Sequence, residues 1–199
     1  MTGKTGDIWF SSDLHINHDK ISEYMPNRPQ SIKEMNSVLI DKYLECVKPG
    51  DTYYCLGDFG FPARNSDHIH FDVLEHVLPG RKVLIRGNHD KERRNKDDVI
   101  AEEHPMWDDV RDYYELKFGK SRFILFHYPL ETWRWAQRGA YQLHGHIHST
   151  NYYSSKYSLT HRFDVGVDNA IEFGRPWHIE ELREMFQKQN FEPEDHHGD

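Results

Sequence analysis

Cysteine is nearly absent from this chain: Cys46 and Cys55 are the only two in 199 residues. Two thiols are too few for the disulfide framework of a secreted scaffold, and Cys55, inside a strand-like run, reads as a small buried hydrophobe. Long apolar runs are missing as well. No stretch approaches the ~20 residues that span a bilayer, and the start Met1-Thr2-Gly3-Lys4-Thr5-Gly6 lacks the apolar core of a signal peptide. The expectation is a cytoplasmic protein with no membrane partner. Nor is there an excess of positive charge. A net charge of −8 argues against a broad nucleic-acid surface, because Lys and Arg contacts to phosphate supply most non-specific affinity. No internal repeat or low-complexity segment is present. With 37% hydrophobic and 29% charged residues, the composition is that of a globular protein. The length suits one sizeable core, so a single domain over residues 1–189 and a frayed acidic tail over 190–199 are expected.

What the chain does have is ligand chemistry at strand ends. Lys82-Val83-Leu84-Ile85 reads as a buried strand, and Arg86-Gly87-Asn88-His89-Asp90 follows it. Four other apolar runs stop in the same way. Asp13-Leu14-His15 follows Ile8-Trp9-Phe10, Gly57-Asp58 follows Tyr53 to Leu56, His127 follows Phe123 to Phe126, and His144-Gly145-His146-Ile147-His148 follows Tyr141-Gln142-Leu143. In an open α/β sheet, ligands bind at the carboxyl ends of strands. Five strands that each end in carboxylate, imidazole or amide would therefore converge on one rim. Carboxylate, imidazole and one amide carbonyl, with no thiolate, suit Mn, Fe, Zn, Ni or Co rather than a Cys-based structural zinc site.

In this order, D-x-H, G-D, G-N-H-D, H and G-H-x-H, the chain resembles the calcineurin-like metallophosphoesterase superfamily, in particular its small bacterial and phage-type members. The motifs run from Asp13 to His148. The resemblance implies a four-layer αββα sandwich of two mixed sheets, with early strands alternating with helices and a run of strands later. It implies two divalent ions, Mn foremost. Asp13, His15 and His148 would hold one, and Asn88, His127 and His146 the other, with Asp58 bridging. Two ions about 3.5–4 Å apart can share a water, deprotonate it near neutral pH and direct it in line at phosphorus. The resemblance makes His89, next to Asn88 but free of the ions, the general acid for the leaving oxygen. It further implies a phosphate-ester substrate, nucleotide-like in one reading. The lack of the Asp-Arg-Gly element of protein Ser/Thr phosphatases after Phe59-Gly60-Phe61-Pro62 leans the reading to a phosphodiesterase. A phosphomonoesterase, a nuclease and a catalytically silent binding module are the alternatives.

Elsewhere the sequence is less specific. Residues 15–30, interrupted by Pro26 and Pro29, read as a loop that places His18, Tyr24 and Arg28 near the pocket mouth, where His18 and Arg28 are candidate substrate contacts. Ser31 and Glu34 fit a capping box before a helix through Met35, Val38, Leu39 and Tyr43. A second helix is expected from Ser66 to Leu78, with His68, His70 and His76 as surface or packing residues. Val110 to Phe118 and Arg122 to Phe126 read as two strands joined at Gly119-Lys120-Ser121, His161 to Val167 as another strand, and Ile179 to Gln187 as a helix. Asp90 and His144 have no role assigned by the residues alone. Trp133-Arg134-Trp135 reads either as an aromatic wall that stacks a base or as a packing loop, with packing preferred.

Overall fold

The structure, a computed structural model, describes residues 6–92, 96, 98–148 and 161–188. The expected tail over 190–199, with His196-His197, lies outside them. Two mixed sheets with helices form a sandwich, as the motif order implied. The first sheet runs β4 (Asp109–Arg111), β3 (Arg81–Ile85), β2 (Thr52–Cys55), β1 (Ile8–Ser11), with the two-residue β9 (Trp177–His178) antiparallel on the far side of β1. The second runs β5 (Tyr114–Phe118), β6 (Ser121–Leu125), β7 (Tyr141–His144), β8 (Arg162–Asp164), parallel from β6 onward.

Side-chain alternation on these strands decides the layering, since successive strand residues face opposite sides. Phe10, Tyr54, Leu56, Val83 and Ile85 of the first sheet meet Phe123, Leu125, Tyr141 and Leu143 of the second in one buried cluster. The intervening residues Tyr53, Cys55 and Leu84 face the other way. There they meet α2 (Ile32–Cys46) and α3 (Phe71–Val77), whose buried side chains include Met35, Leu39, Tyr43, Phe71 and Leu74. α4 (Ile179–Gln187) closes the core between the sheets: Phe186 stacks on Tyr141 at 4.4 Å with the two rings nearly parallel. The remaining helix, α1 (Ile21–Tyr24), is a single turn in the loop before α2. No helix among the described residues is long and apolar enough to cross a membrane.

Local signals held where they were strong. Ser31 caps α2 by accepting from Glu34 N–H, and α4 spans the expected residues with His178 in a reciprocal cap with Glu181. Three expectations need correction. Val110 to Phe118 is not one strand: β4 pairs with β3 in the first sheet and β5 with β6 in the second. A period of two marks extended chain without saying which sheet it joins. The second helix starts at Phe71 rather than Ser66, because the Asn17 side chain takes Ile69 N–H and C=O and Phe61 C=O into its own hydrogen bonds. His68 accordingly precedes the helix and is buried against Asp19, in keeping with the packing alternative. The strand expected from His161 to Val167 is limited to β8.

Candidate metal centre

All five motif stretches leave their strands at the same rim, and backbone bonds lock them side by side. Asp13 N–H donates to Gly57 O, His15 N–H to Asp58 O, and Gly145 N–H to His127 O, each at 2.9–3.0 Å. The turns required are tight enough that side-chain-bearing residues adopt the left-handed region. Of the eight non-glycine residues with positive φ among those described, five are Asp13, His15, Asp58, His146 and His148. Such conformations cost about 1–3 kcal/mol each and persist where the surroundings over-determine them, so the strain gathers at the motif residues.

The side chains form two donor sets. Asp13, His15 and His148 present ligand atoms within 4.8 Å of one another, as do Asp58, His127 and His146. Asn88 joins the second, its Oδ1 lying 3.2 Å from His127 Nε2. Asp58 Oδ2 stands between the sets, 3.8 Å from His15 Nε2 and 3.6 Å from His127 Nε2. The donors fit cations. His15 Nε2 faces His148 Nε2 at 3.2 Å, the separation of about 3.3 Å expected for two imidazoles bonded at ~2.05 Å around one tetrahedral ion. His127 Nδ1 donates to Leu56 O at 2.7 Å, which leaves its Nε2 unprotonated toward the site. His148 Nδ1 is likewise held, 2.8 Å from Asp168 Oδ2. Burial pushes the Asp13 carboxyl up to about 7, against the opposing pull of His148: the charged form lacks a counterion that a cation would supply.

The backbone around the donors leaves no room for more. A Cβ on Gly145 would collide with Ser12 Oγ and the Asp13 carboxylate, and one on Gly87 with the Asp58 carboxylate and amide. Gly145→Ala should therefore displace Asp13 and weaken divalent-metal uptake about 10-fold or more, the range seen for disturbed ligand supports. Titration calorimetry with Mn²⁺ checks this; an unchanged affinity would remove Asp13 from the donor set.

Two residues that the sequence left open have defined places. Asp90 is fully buried and accepts N–H bonds from Asp58, Phe59 and Gly87, so it ties the Asp58 turn to the Asn88 turn. His144 is buried on β7 with Nδ1 donating to Gly145 O, one residue before His146. His89 lies at the rim, one-third exposed, with Nε2 4.0 Å from Asp58 Oδ2 and its backbone N–H bonded to Asp58 Oδ1. His18 sets its ring edge-on to His15 at 5.5 Å and against Phe61 at 5.2 Å.

Arg28, expected at the pocket mouth, is instead 2% exposed. Its guanidinium binds both Asp168 carboxylate oxygens at 2.8 and 2.6 Å and donates to the carbonyls of Asp13 and Leu14. Asp168 thus joins the Asp13 turn to His148. Sequence reasoning passed over it; the only signal was a carboxylate in the turn Gly166-Val167-Asp168-Asn169, which is ordinary turn composition.

A third group, Asp72, Glu75 and His104, also clusters. There His104 Nδ1 accepts from Met106 N–H, so the proton sits on Nε2, 3.0 Å from Asp72 Oδ1. Hydrogen bonding accounts for that arrangement without an ion.

The titrating groups set a pH dependence for the metal-free protein. Burial alone would lower His148, but Asp168 and Asp13 outweigh it and raise it above 6.5. A raised histidine stabilises the fold below its unfolded value and loses that contribution as pH climbs through the folded one. Asp13, holding its proton to about 7 when folded and releasing it near 3.8 when unfolded, also favours unfolding as pH rises to 7. Below pH 6.5, His15, His144 and His146, lowered chiefly by burial, pull the other way. The Tm of the chelator-treated protein should thus fall between pH 6.5 and 8, and saturating Mn²⁺ should abolish the fall; a flat metal-free profile would contradict these assignments.

No family model matches the chain. It is 29% identical over 204 residues to the Gene 66 protein of Mycobacterium phage D29, covering 90% of this chain and 95% of that protein. It is 28% identical over 182 residues to an uncharacterized protein of Methanocaldococcus jannaschii, covering 91% and 92%. The crystal structure of a protein of unknown function from Aquifex aeolicus superposes with a TM-score of 0.68 at 25% identity, covering 90% of this chain and 99% of that one. A predicted phosphoesterase from Streptococcus pneumoniae reaches only 0.35 at 14% identity, too little to carry an argument. The chain shares its fold, over nearly its whole length, with the Aquifex aeolicus protein.

Proposed function

We propose that this chain is a dinuclear metal-dependent phosphoesterase that favours phosphodiesters. The observation that carries the reading is the meeting of two donor sets at Asp58 Oδ2, with His89 beside them and outside both. Asp13, His15 and His148 would hold one divalent ion; Asn88, His127 and His146 the other; Asp58 would bridge. Such ions, Mn first and Fe, Zn, Ni or Co as alternatives, supply Lewis acidity to a phosphoryl oxygen and lower the pKa of water.

The protein's own groups do the rest. The donors are buried on one side and open on the side of His146, which is exposed, and of His89, so a phosphate ester reaches the centre from that rim. His18, half-buried next to His15, would contact its non-reacting part. His89 would hold a proton on Nε2 and give it to the departing ester oxygen, a transfer worth about 10²–10⁴-fold. Asp90 and Asp168 would keep the ligands aimed, the former through backbone N–H groups and the latter through His148 Nδ1.

The test is metal content together with hydrolysis of bis(p-nitrophenyl) phosphate. The reading expects two ions per chain and turnover that disappears with chelation and returns with Mn²⁺. A protein that takes up fewer than two ions, or stays inert with each of Mn²⁺, Ni²⁺, Co²⁺ and Zn²⁺, would instead be a binding module.

A further inference from the structure

The segment between β6 and β7 holds a second concentration of unusual chemistry, away from the metal centre. Trp133 is buried and its indole N–H donates to Ala140 O, while Ala136, Arg138, Gly139 and Ala140 close successive backbone bonds around a 3₁₀ turn, Ala136–Arg138. The loop packs on the outer side of the second sheet through Trp133, Ala136 and Ala140 against Ile124. It is therefore a firm platform. Trp135 stands on it with φ +68°, a left-handed conformation that an aromatic residue seldom adopts.

Three guanidiniums surround the Trp135 ring: Arg138 at 4.8 Å, Arg134 at 5.0 Å and Arg122 at 5.2 Å from its centroid. They lie within about 10 Å of one another, close to a Debye length at physiological salt, so they repel. One carboxylate offsets them: Glu115, bonded to Arg134. Arg122 and Arg138 are exposed and have no carboxylate within ion-pair distance among the described residues. The indole N–H of Trp135 is buried and lacks an acceptor among the described residues. A recess of about 310 Å³ opens between Trp133, Arg134, Trp135, Gln137 and Arg138. A guanidinium set against a ring keeps N–H groups for other partners, and their fork matches phosphate oxygens. On a chain of net charge −8, such a local surplus of donors needs an anion to make sense of it.

We propose that Arg122, Arg134 and Arg138, gathered on Trp135, form a remote docking site for the backbone phosphates of a single-stranded nucleic acid. The site's place in the fold favours an extended polyanion over a small one. Arg122 lies at the start of β6 and His127 just past its end, so about 17 Å of extended backbone separates them at ~3.3 Å per residue. A strand anchored at the arginines reaches the metal rim past the exposed Tyr128, whose ring touches both His127 and His146. That the bound strand is also the substrate rests on the phosphoesterase reading; the docking itself does not.

The test compares wild type with Arg122→Glu/Arg138→Glu, both metal-loaded, using a fluorescein-labelled, nuclease-resistant phosphorothioate oligothymidylate and fluorescence anisotropy. The double variant should bind at least about tenfold more weakly. Its plot of log affinity against log salt should be shallower by about 1.4, for two phosphate contacts at ~0.7 each on a single strand. Trp135→Ala should weaken binding with little change in slope. Bis(p-nitrophenyl) phosphate hydrolysis, which does not reach the arginines, should be equal in all three. Equal affinity and slope in wild type and double variant overturns the docking site, as does loss of binding to phosphatidylserine vesicles with oligonucleotide binding intact. If the oligonucleotide binds through the arginines but the small diester is never hydrolysed, the docking site stands and the phosphoesterase reading fails.

Discussion

His89→Ala should lower the hydrolysis of an alkyl phosphodiester by about 10²–10⁴-fold, the contribution of a positioned general acid, while leaving the number of bound metal ions unchanged. The prediction follows from the place of the imidazole: its Nε2 is 4.0 Å from Asp58 Oδ2, its Nδ1 pairs with Glu92 Oε1 at 2.8 Å, and the residue's backbone N–H bond to Asp58 Oδ1 is one that alanine retains. The ligand geometry should survive the change. An aryl diester offers a sharper measurement, because p-nitrophenolate departs without protonation and its turnover should fall far less than that of the alkyl ester. Parallel losses on both esters would mean that His89 serves binding or metal retention rather than proton transfer. Loss of an ion would place it among the ligands.

Arg28→Met should destabilise the protein by about 3–5 kcal/mol, the usual consequence of leaving one member of a buried ion pair uncompensated. The pair is closed from water: the Arg28 and Asp168 side chains are 0% and 4% exposed, with 2.6 Å between Nη2 and Oδ2. At ~2–4 °C per kcal/mol for a chain of this size, Tm should drop by roughly 6–20 °C. Adding Asp168→Leu should recover part of the loss, since removing both charges costs less than stranding one. The carboxylate's condition supports this. Burial would raise Asp168, yet the bonds from His148 and Arg28 outweigh it and hold it below 3.8, so its contribution is present above that pH and lost only as acid protonates the folded form. Metal affinity should fall with stability, as Arg28 also grips the Asp13 and Leu14 carbonyls. If the single variant melts like wild type, the pair is not holding the Asp13 turn.

Much of the site was legible because its signal is chemical and directional. Side chains able to ligate a metal sit just past the downstream ends of apolar runs, and parallel strands carry those ends to one rim whatever the loops between them do. Residue type and period mark the candidate donors, α2 and α4; the division of the donors into two sets around Asp58 and the sandwich layering came with the order of the motifs, through the family resemblance. Arg28 was misplaced by the same logic, because proximity in sequence to Asp13 and His15 gives no burial. A Pro-flanked arginine in a loop reads as solvent-facing until its partner is known, and that partner is 140 residues away.

By itself, then, the sequence determined which atoms could bind cations and that they lie at the downstream ends of strands; that three of those strands belong to one sheet and two to the other came from the fold. Tertiary structure alone decided what aims them. Asp168 behind His148, Asp90 beneath the Asp58 turn, the division of residues 109–118 between two sheets and the approach of Arg122 to Trp135 are pairings between distant or differently folded segments. A side chain's type advertises the bonds it can make, but which bonds it makes depends on what the folded chain brings within 3 Å of it.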